Sequence, residues 1–259
     1  MKDRSGKAGC IKGGYMNKEH IDSDREKGLH RLTYADIKAT DLYYINTYFI
    51  VNDIRDAIAA YVKGEVLDIG CGNKPYEVLF RNEATKYIGC DIIQSSDNIV
   101  DYLCPANDLC FEKERFDTVF STQTLEHVAD HRGMVSEAYR VLKPGGYAIF
   151  TVPFSWELHE EPYDFFRVSK YGLRYLFEKY GFEVVKIKSN GGKWAAISQL
   201  FLNVLMSTRK YVTLRSRLIK FIFIRCRFIV PYNKLSIWID KRFFDDVLTL
   251  NYIIIARKP

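Results

Sequence analysis

Nine residues, HEEPYDFFR from His159 to Arg167, hold one histidine, three acids, one arginine and three aromatics. A neutral imidazole can take a proton near neutral pH. Glu160, Glu161 and Asp164 can orient that imidazole or bind a polar ligand, and Arg167 sits three residues from Asp164, within pairing distance. His159 with Asp164 offers two metal donors but no third at a recognisable spacing, so no metal site is expected. The plain alternative is a charged loop turned by Pro162, with Asp164 and Arg167 paired. His127, in LEHV, reads as an orienting residue or a helix-start partner near the same site. His131 reads as the solvent-facing start of a surface helix.

A second concentration of chemistry lies upstream. In VLDIGCGNKPY an apolar stretch carries Asp68 and then runs into Gly70 and Gly72. Glycine lets the chain turn tightly and lets a ligand approach the backbone. The helix that follows would turn its amide-rich end toward the same space. Asp91 closes the next apolar stretch, KYIGCDI, nineteen residues after Gly72. A carboxylate there can accept from two ribose hydroxyls. A dinucleotide GxGxxG pattern does not fit, because Pro75 stands at its third glycine. Strand, glycine turn, helix, strand and acid together describe a nucleoside-binding half-fold; the bland alternative is a turn without a ligand.

The elements that must position these residues are legible in the periodicity. Tyr34 to Tyr61 reads as helix, EVLDIG as a strand, and Pro75 to Arg81 as a short helix. KYIGCDI, a short piece near Asn98 to Tyr102, FDTVFST and YAIFTVPF read as further strands. HRGMVSEAYRVL reads as a helix stopped at KPGG, and VSKYGLRYLFEKYG as a helix with Gly181 just past its end. FEVVKIKS and LNYIIIARK complete seven strands. Strands alternating with helices imply a mainly parallel, Rossmann-like sheet with both faces covered. Ligands of such sheets bind at the carboxyl ends of the strands, near the switch point. HEEPYDFFR begins there, right after the fifth strand.

The motifs also carry a resemblance. DIGCGNKPY, YIGCD, FDTVFSTQTLEHVADH, RVLKPGGYAIFTVP and YGFEVV, in that order, resemble the motifs of class I S-adenosylmethionine-dependent methyltransferases. The likeness runs from about Gly64 to Ser189 and resumes at the closing strand, where that family has an antiparallel seventh strand. It implies S-adenosylmethionine as cofactor. It implies that Asp68, Gly70, Cys71 and Gly72 line the methionine half and that Asp91 holds the ribose. Ile92 would pack on the adenine, with Thr122 and Gln123 beside the sulfonium. Many relatives have an acid after the third strand to bind the adenine amino group. Here that loop reads LCPANDLCF, and Asn107, Asp108 or backbone atoms stay open as its substitute. The pattern HxxPxDFxR followed by a GLxxL helix resembles a subgroup associated with glycan, glycolipid and secondary-metabolite pathways. It implies methyl transfer to a hydroxyl, with His159, His127, Asp164 and Arg167 as candidate catalytic groups. An RNA methyltransferase and a non-catalytic partner subunit of the same fold are the alternatives.

Charge divides the chain. Its net of +6 hides a stretch, Val184 to Ile239, with eleven Lys and Arg and no Asp or Glu; the other 203 residues carry a net of −5. The methyltransferase-like domain is expected over 34–259, after a charged, flexible lead-in at 1–33 that lacks a signal-peptide core. Within it, residues 190–249 form a basic, apolar, helical insertion where the resemblance calls for only a turn. A cap over the site, a homodimer interface and an anionic membrane contact through 190–240 all suit it. Nucleic acid fits less well, since the bases alternate with Leu, Ile and Phe. Six scattered cysteines without a CxxC pair suggest a reduced, cytoplasmic chain, peripheral on the inner membrane face if the insertion touches lipid.

Overall fold

The computed structural model describes residues 11–12, 37–95, 97–206, 221–225 and 227–259. The expected lead-in lies outside them except for Ile11–Lys12 (β1), a two-residue strand. Then come α1 (Tyr44–Tyr61), β2 (Glu65–Ile69), α2 (Glu77–Phe80), β3 (Lys86–Asp91), β4 (Tyr102–Leu103) and β5 (Phe116–Thr122). A 3-10 turn over Leu125–His127 leads to α3 (His131–Val141), β6 (Leu142–Pro153), α4 (Lys170–Lys179) and β7 (Glu183–Asn190). α5 (Lys193–Met206), a π-helical turn (Phe221–Arg225), α6 (Ile229–Arg242) and β8 (Asn251–Arg257) end the chain.

The strands form one sheet in the order β1-β4-β3-β2-β5-β6-β8-β7. β4, β3, β2, β5 and β6 are mutually parallel, whereas β8 runs antiparallel to both β6 and β7. This is the expected Rossmann-like sheet with an antiparallel last strand, extended at one edge by β1. Alternation along each strand feeds two cores. Leu67, Ile69, Ala148, Phe150 and Ile254 pack toward α3 and α4, while Val66, Phe120, Ile149, Ile253 and Ile255 pack toward α1. Burying each such side chain contributes about 1.5–3 kcal/mol.

Three boundaries differ from the sequence expectation. α1 starts at Tyr44, because Asp41 builds a turn ahead of it: the Lys38 amide donates to its carboxylate at 2.9 Å and the Tyr44 amide to its carbonyl. The expected break at KPGG is absorbed into β6, whose pairing with β5 jumps from Phe116–Leu142 to Thr118–Tyr147. The third predicted strand shrinks to Tyr102–Leu103. Among the described residues Cys71, Cys90 and Cys104 are buried and free.

The insertion is helical where described. α5 and α6 pack on each other and on the start of α1 through Ile45, Ala195, Leu202 and Ile237. Its buried polar groups do the fastening. Asp240, fully buried, accepts from the Gly192 and Ala195 amides at the head of α5, both at 2.9 Å. Gln199 donates to the Leu42 carbonyl and accepts from the Asn46 amide. Asn233 donates to the carbonyls of Ala39 and Asp41. Among the described residues no helix is long and apolar enough to cross a membrane.

Candidate active site

The sheet order reverses at β2, between β3 and β5, and a cavity of about 640 Å³ opens at the carboxyl ends there. Its floor is the turn after β2. The amides of Gly70 and Cys71 both donate to the Cys90 carbonyl, at 2.8 and 3.1 Å, which folds the turn back on β3. Gly70 has φ +74, and a Cβ there would lie 2.4 Å from the Thr124 side chain. Only glycine fits, and its bare backbone faces the cavity.

Asp91 ends β3 in a cup of amides. Gly72 donates to its Oδ2 at 3.1 Å, and Ile92 and Ile93 donate to Oδ1 at 2.7 and 3.3 Å. Those bonds fix the carboxylate at the cavity wall. Gly70, Cys71, Gly72, Asp91, Ile92, Thr122 and Gln123, all nominated from the sequence, line the cavity together. So does Asn107, whereas Asp108 does not. Asp68 lies behind the wall on the face it shares with Val66. It is 2% exposed, Tyr87 donates its hydroxyl to it, and burial pushes its carboxyl up to about 7.

The opposite end is made by loops. His127 ends the 3-10 turn after β5 and His159 follows β6; their Nε2 atoms are 3.1 Å apart and both rings line the cavity. His127 Nδ1 is 2.8 Å from the Tyr163 carbonyl oxygen. His159 Nδ1 is 3.2 Å from the Glu157 carbonyl oxygen and 3.3 Å from Asp164 Oδ2. Asp164 also accepts from the His159 amide, and Arg167 donates to both of its oxygens. Burial works against the Asp164 charge, yet the bonds from Arg167 and the His159 amide hold its carboxyl below the usual range. Asp164 and Arg167 stand behind His159 rather than on the cavity wall. Burial lowers the His127 imidazole.

Several groups here have no sequence signal. Tyr43, just before α1, and Trp156, after β6, close the cavity with rings 5.7 Å apart, and Asn46 of α1 joins them. Glu126, beside His127, is 2% exposed, and burial pushes its carboxyl up to about 8. It supplies the third metal donor that spacing did not reveal: donor atoms of Glu126, His127 and His159 all lie within 4.8 Å of one another. His131 is half-buried rather than solvent-facing, its ring 4.2 Å from that of Phe166.

A doubly wound sheet with a glycine turn, an acid closing the next strand and a shared cavity defines a nucleoside-cofactor protein. The chain belongs to the methyltransferase-domain family, whose sequence pattern matches residues 48–187. It thus carries an S-adenosylmethionine-dependent methyltransferase domain. A ubiquinone biosynthesis O-methyltransferase of Chromobacterium violaceum is 28% identical over 149 residues, covering 52% of this chain and 63% of that protein. The match therefore spans less than two thirds of the relative. Among solved structures, the [4+2]-cyclase SpnF has a TM-score of 0.55 at 17% identity, covering 89% of this chain and 88% of its own. An S-adenosylmethionine-dependent methyltransferase from Archaeoglobus fulgidus has a TM-score of 0.53 at 20% identity, covering 82% and 94%. At those identities the two structures speak for the fold alone.

Proposed function

We propose that this chain moves the methyl group of S-adenosylmethionine onto a hydroxyl oxygen of a small-molecule acceptor. One observation carries the reading: a single cavity has a backbone-built nucleoside wall at one end and a histidine pair at the other. The bare Gly70–Gly72 backbone receives the methionine half, Asp91 accepts from the ribose hydroxyls and Ile92 packs on the adenine. Thr122 and Gln123 lie beside the sulfonium. The bound cofactor supplies an activated methyl group. The protein has to hold the acceptor oxygen in line with it and dispose of the hydroxyl proton. His127 and His159 stand where that proton leaves, and Asp164 with Arg167 positions His159. Tyr43 and Trp156 offer aromatic faces that suit a phenol or a sugar ring, which keeps glycan and glycolipid acceptors in range. The O-methyltransferase name of the C. violaceum relative supports oxygen as the methylated atom.

Calorimetry with S-adenosylhomocysteine tests the cofactor half. Saturable binding that Asp91→Ala weakens about 100-fold or more is the expected result; no binding by the intact chain sinks the reading. Labelled-methyl transfer to panels of phenols, sugars and glycolipids then finds the acceptor. Turnover on RNA with a steep salt dependence would favour the RNA alternative. Cofactor binding with turnover only after a second protein is added would favour the partner-subunit alternative.

The outer face of the insertion favours an added membrane contact. Trp194, Ile197, Phe201 and Val204 form an exposed apolar stripe along α5, 40 to 76% exposed, and Leu235 and Trp238 repeat the pattern on α6. Such a stripe beside a basic segment suits an anionic lipid surface, at about 1 kcal/mol per base. Flotation with anionic vesicles at low salt is the check. A chain that stays in the soluble fraction and sediments as a dimer would assign the stripe to a second copy instead.

A further inference from the structure

Glu126, His127 and His159 meet in a geometry that leaves the Glu126 carboxyl without a hydrogen-bond partner. His127 Nδ1 faces the Tyr163 carbonyl at 2.8 Å, and a carbonyl can only accept, so that nitrogen carries the proton. His159 Nδ1 is closest to two acceptors, the Glu157 carbonyl at 3.2 Å and Asp164 Oδ2 at 3.3 Å. The Arg167 donor is further, at 3.5 Å. Both rings therefore turn a lone pair out on Nε2, and these two atoms face each other at 3.1 Å. Two lone pairs at that separation need a shared proton or a metal ion between them. Beside them, both carboxylate oxygens of Glu126 are buried without a hydrogen-bond partner. A buried carboxylate without such partners is costly to keep.

The spacing suits an ion. With metal–nitrogen bonds of about 2.1 Å, two imidazoles at about 90–110° stand roughly 3.0–3.4 Å apart. Glu126 Oε1, 3.8 Å from His127 Nε2, closes an angle of about 130° on the same bond length, and with all three donor atoms within 4.8 Å of one another a small turn of the Glu126 side chain brings the set onto one ion. The groups behind the rings match too. Metal-bound imidazoles donate their far N–H to a carbonyl or a carboxylate, as the Tyr163 and Glu157 carbonyls and the Arg167-clamped Asp164 allow here.

We propose that Glu126, His127 and His159 bind a divalent transition-metal ion whose open position faces the cavity and takes the acceptor's oxygen. Two imidazoles and one carboxylate suit borderline ions such as Zn²⁺, Co²⁺, Mn²⁺ or Fe²⁺. The binding stands on the geometry alone; the acceptor role rests on the methyl-transfer reading. In that role the ion takes the place of a histidine base, because both rings are engaged as ligands, and it polarises the acceptor hydroxyl. The O–H bond breaks and its proton passes to solvent water at the cavity mouth. The oxygen's electron pair forms the new C–O bond. The C–S bond breaks with its pair returning to sulfur, which changes from sulfonium to neutral thioether.

The test titrates untagged, chelator-stripped protein with Co²⁺. One Co²⁺ per chain is expected, with a visible ligand-field spectrum, displaced by Zn²⁺. Glu126→Gln and His159→Ala should each weaken Co²⁺ binding by more than about 100-fold while keeping S-adenosylhomocysteine affinity, which certifies their fold. Asp91→Ala should do the reverse, so failure of cofactor binding and failure of metal binding read out separately. No saturable binding of Co²⁺, Zn²⁺ or Mn²⁺, or binding that His159→Ala leaves intact, reduces the cluster to a hydrogen-bonded histidine pair and overturns the proposal. Binding with turnover unchanged by chelation overturns the acceptor role.

Discussion

The two ends of the cavity are built by different means. The end proposed for the cofactor is backbone: a glycine turn folded onto β3 and an aspartate cupped by three amides. The end proposed for the acceptor is side chains from two loops, with His127 and His159 thirty-two residues apart and Asp164 and Arg167 behind them. Backbone sites sit at strand ends and inherit the rigidity of the sheet. Side-chain sites depend on each partner holding the next. Damage at the first end should abolish binding, whereas damage at the second should slow turnover and leave binding alone.

The largest effect is expected from Gly70→Val. Its Cβ would meet Thr124 at 2.4 Å in a backbone conformation with φ +74, a loss of about 3 kcal/mol or more in stability. Urea unfolding should register it, and S-adenosylhomocysteine binding should vanish. Asp91→Ala should weaken that ligand about 100-fold or more by calorimetry, since hydrogen bonds to a charged group contribute about 1.5–3 kcal/mol each, with urea unfolding read alongside because three amides lose their acceptor. Equal affinity in the variant would break the contrast at its stronger end.

At the acceptor end, His159→Ala should lower turnover by about 100-fold with unchanged S-adenosylhomocysteine affinity. Loss of both together would mean that the two ends are not separable. Asp164→Asn keeps the shape but loses the charge that anchors Arg167, and should cost about tenfold in turnover, less than the histidine itself. The smallest effect on either activity belongs to Asp68→Asn, behind the wall. Its carboxyl sits at about 7 in the folded protein against 3.8 ordinarily, so between those values it takes up a proton on folding. The stability it contributes is full below about pH 4 and lost as pH rises through 7, at up to about 1.4 kcal/mol per unit. The difference in urea midpoint between variant and parent should grow across that window and then level off. A constant difference would show that Asp68 is ionised throughout.

The same contrast explains what could be read in the sequence. Gly70, Gly72, Asp91, Thr122 and Gln123 stand next to strands whose apolar runs are plain, so strand order alone brings them together. Asp68 stands there too, but period-two alternation turns it to the Val66 face, under Tyr87. That turn was legible in the register and easily overridden by the motif. Glu126 carried no signal, because its burial depends on the 159–167 loop folding over the 3-10 turn, with the Phe165 amide donating to its carbonyl. Tyr43 and Trp156 come from segments before α1 and after β6 whose meeting no periodicity encodes. The helices at Lys193–Met206 and Ile229–Arg242 fall where helix is expected, but their fastening by Asp240, Gln199 and Asn233 was not legible. Single buried polar residues leave no pattern.

Gln199 has a consequence for anyone who would trim this protein. It bonds the Leu42 carbonyl, 157 residues away in the chain, and the Asn46 amide in the first turn of α1. Excising 190–249 to obtain a minimal catalytic core would therefore strip the anchor from the helix that carries Asn46 and follows Tyr43. Trimming those helices should loosen the pocket wall that Tyr43 and Asn46 help to form.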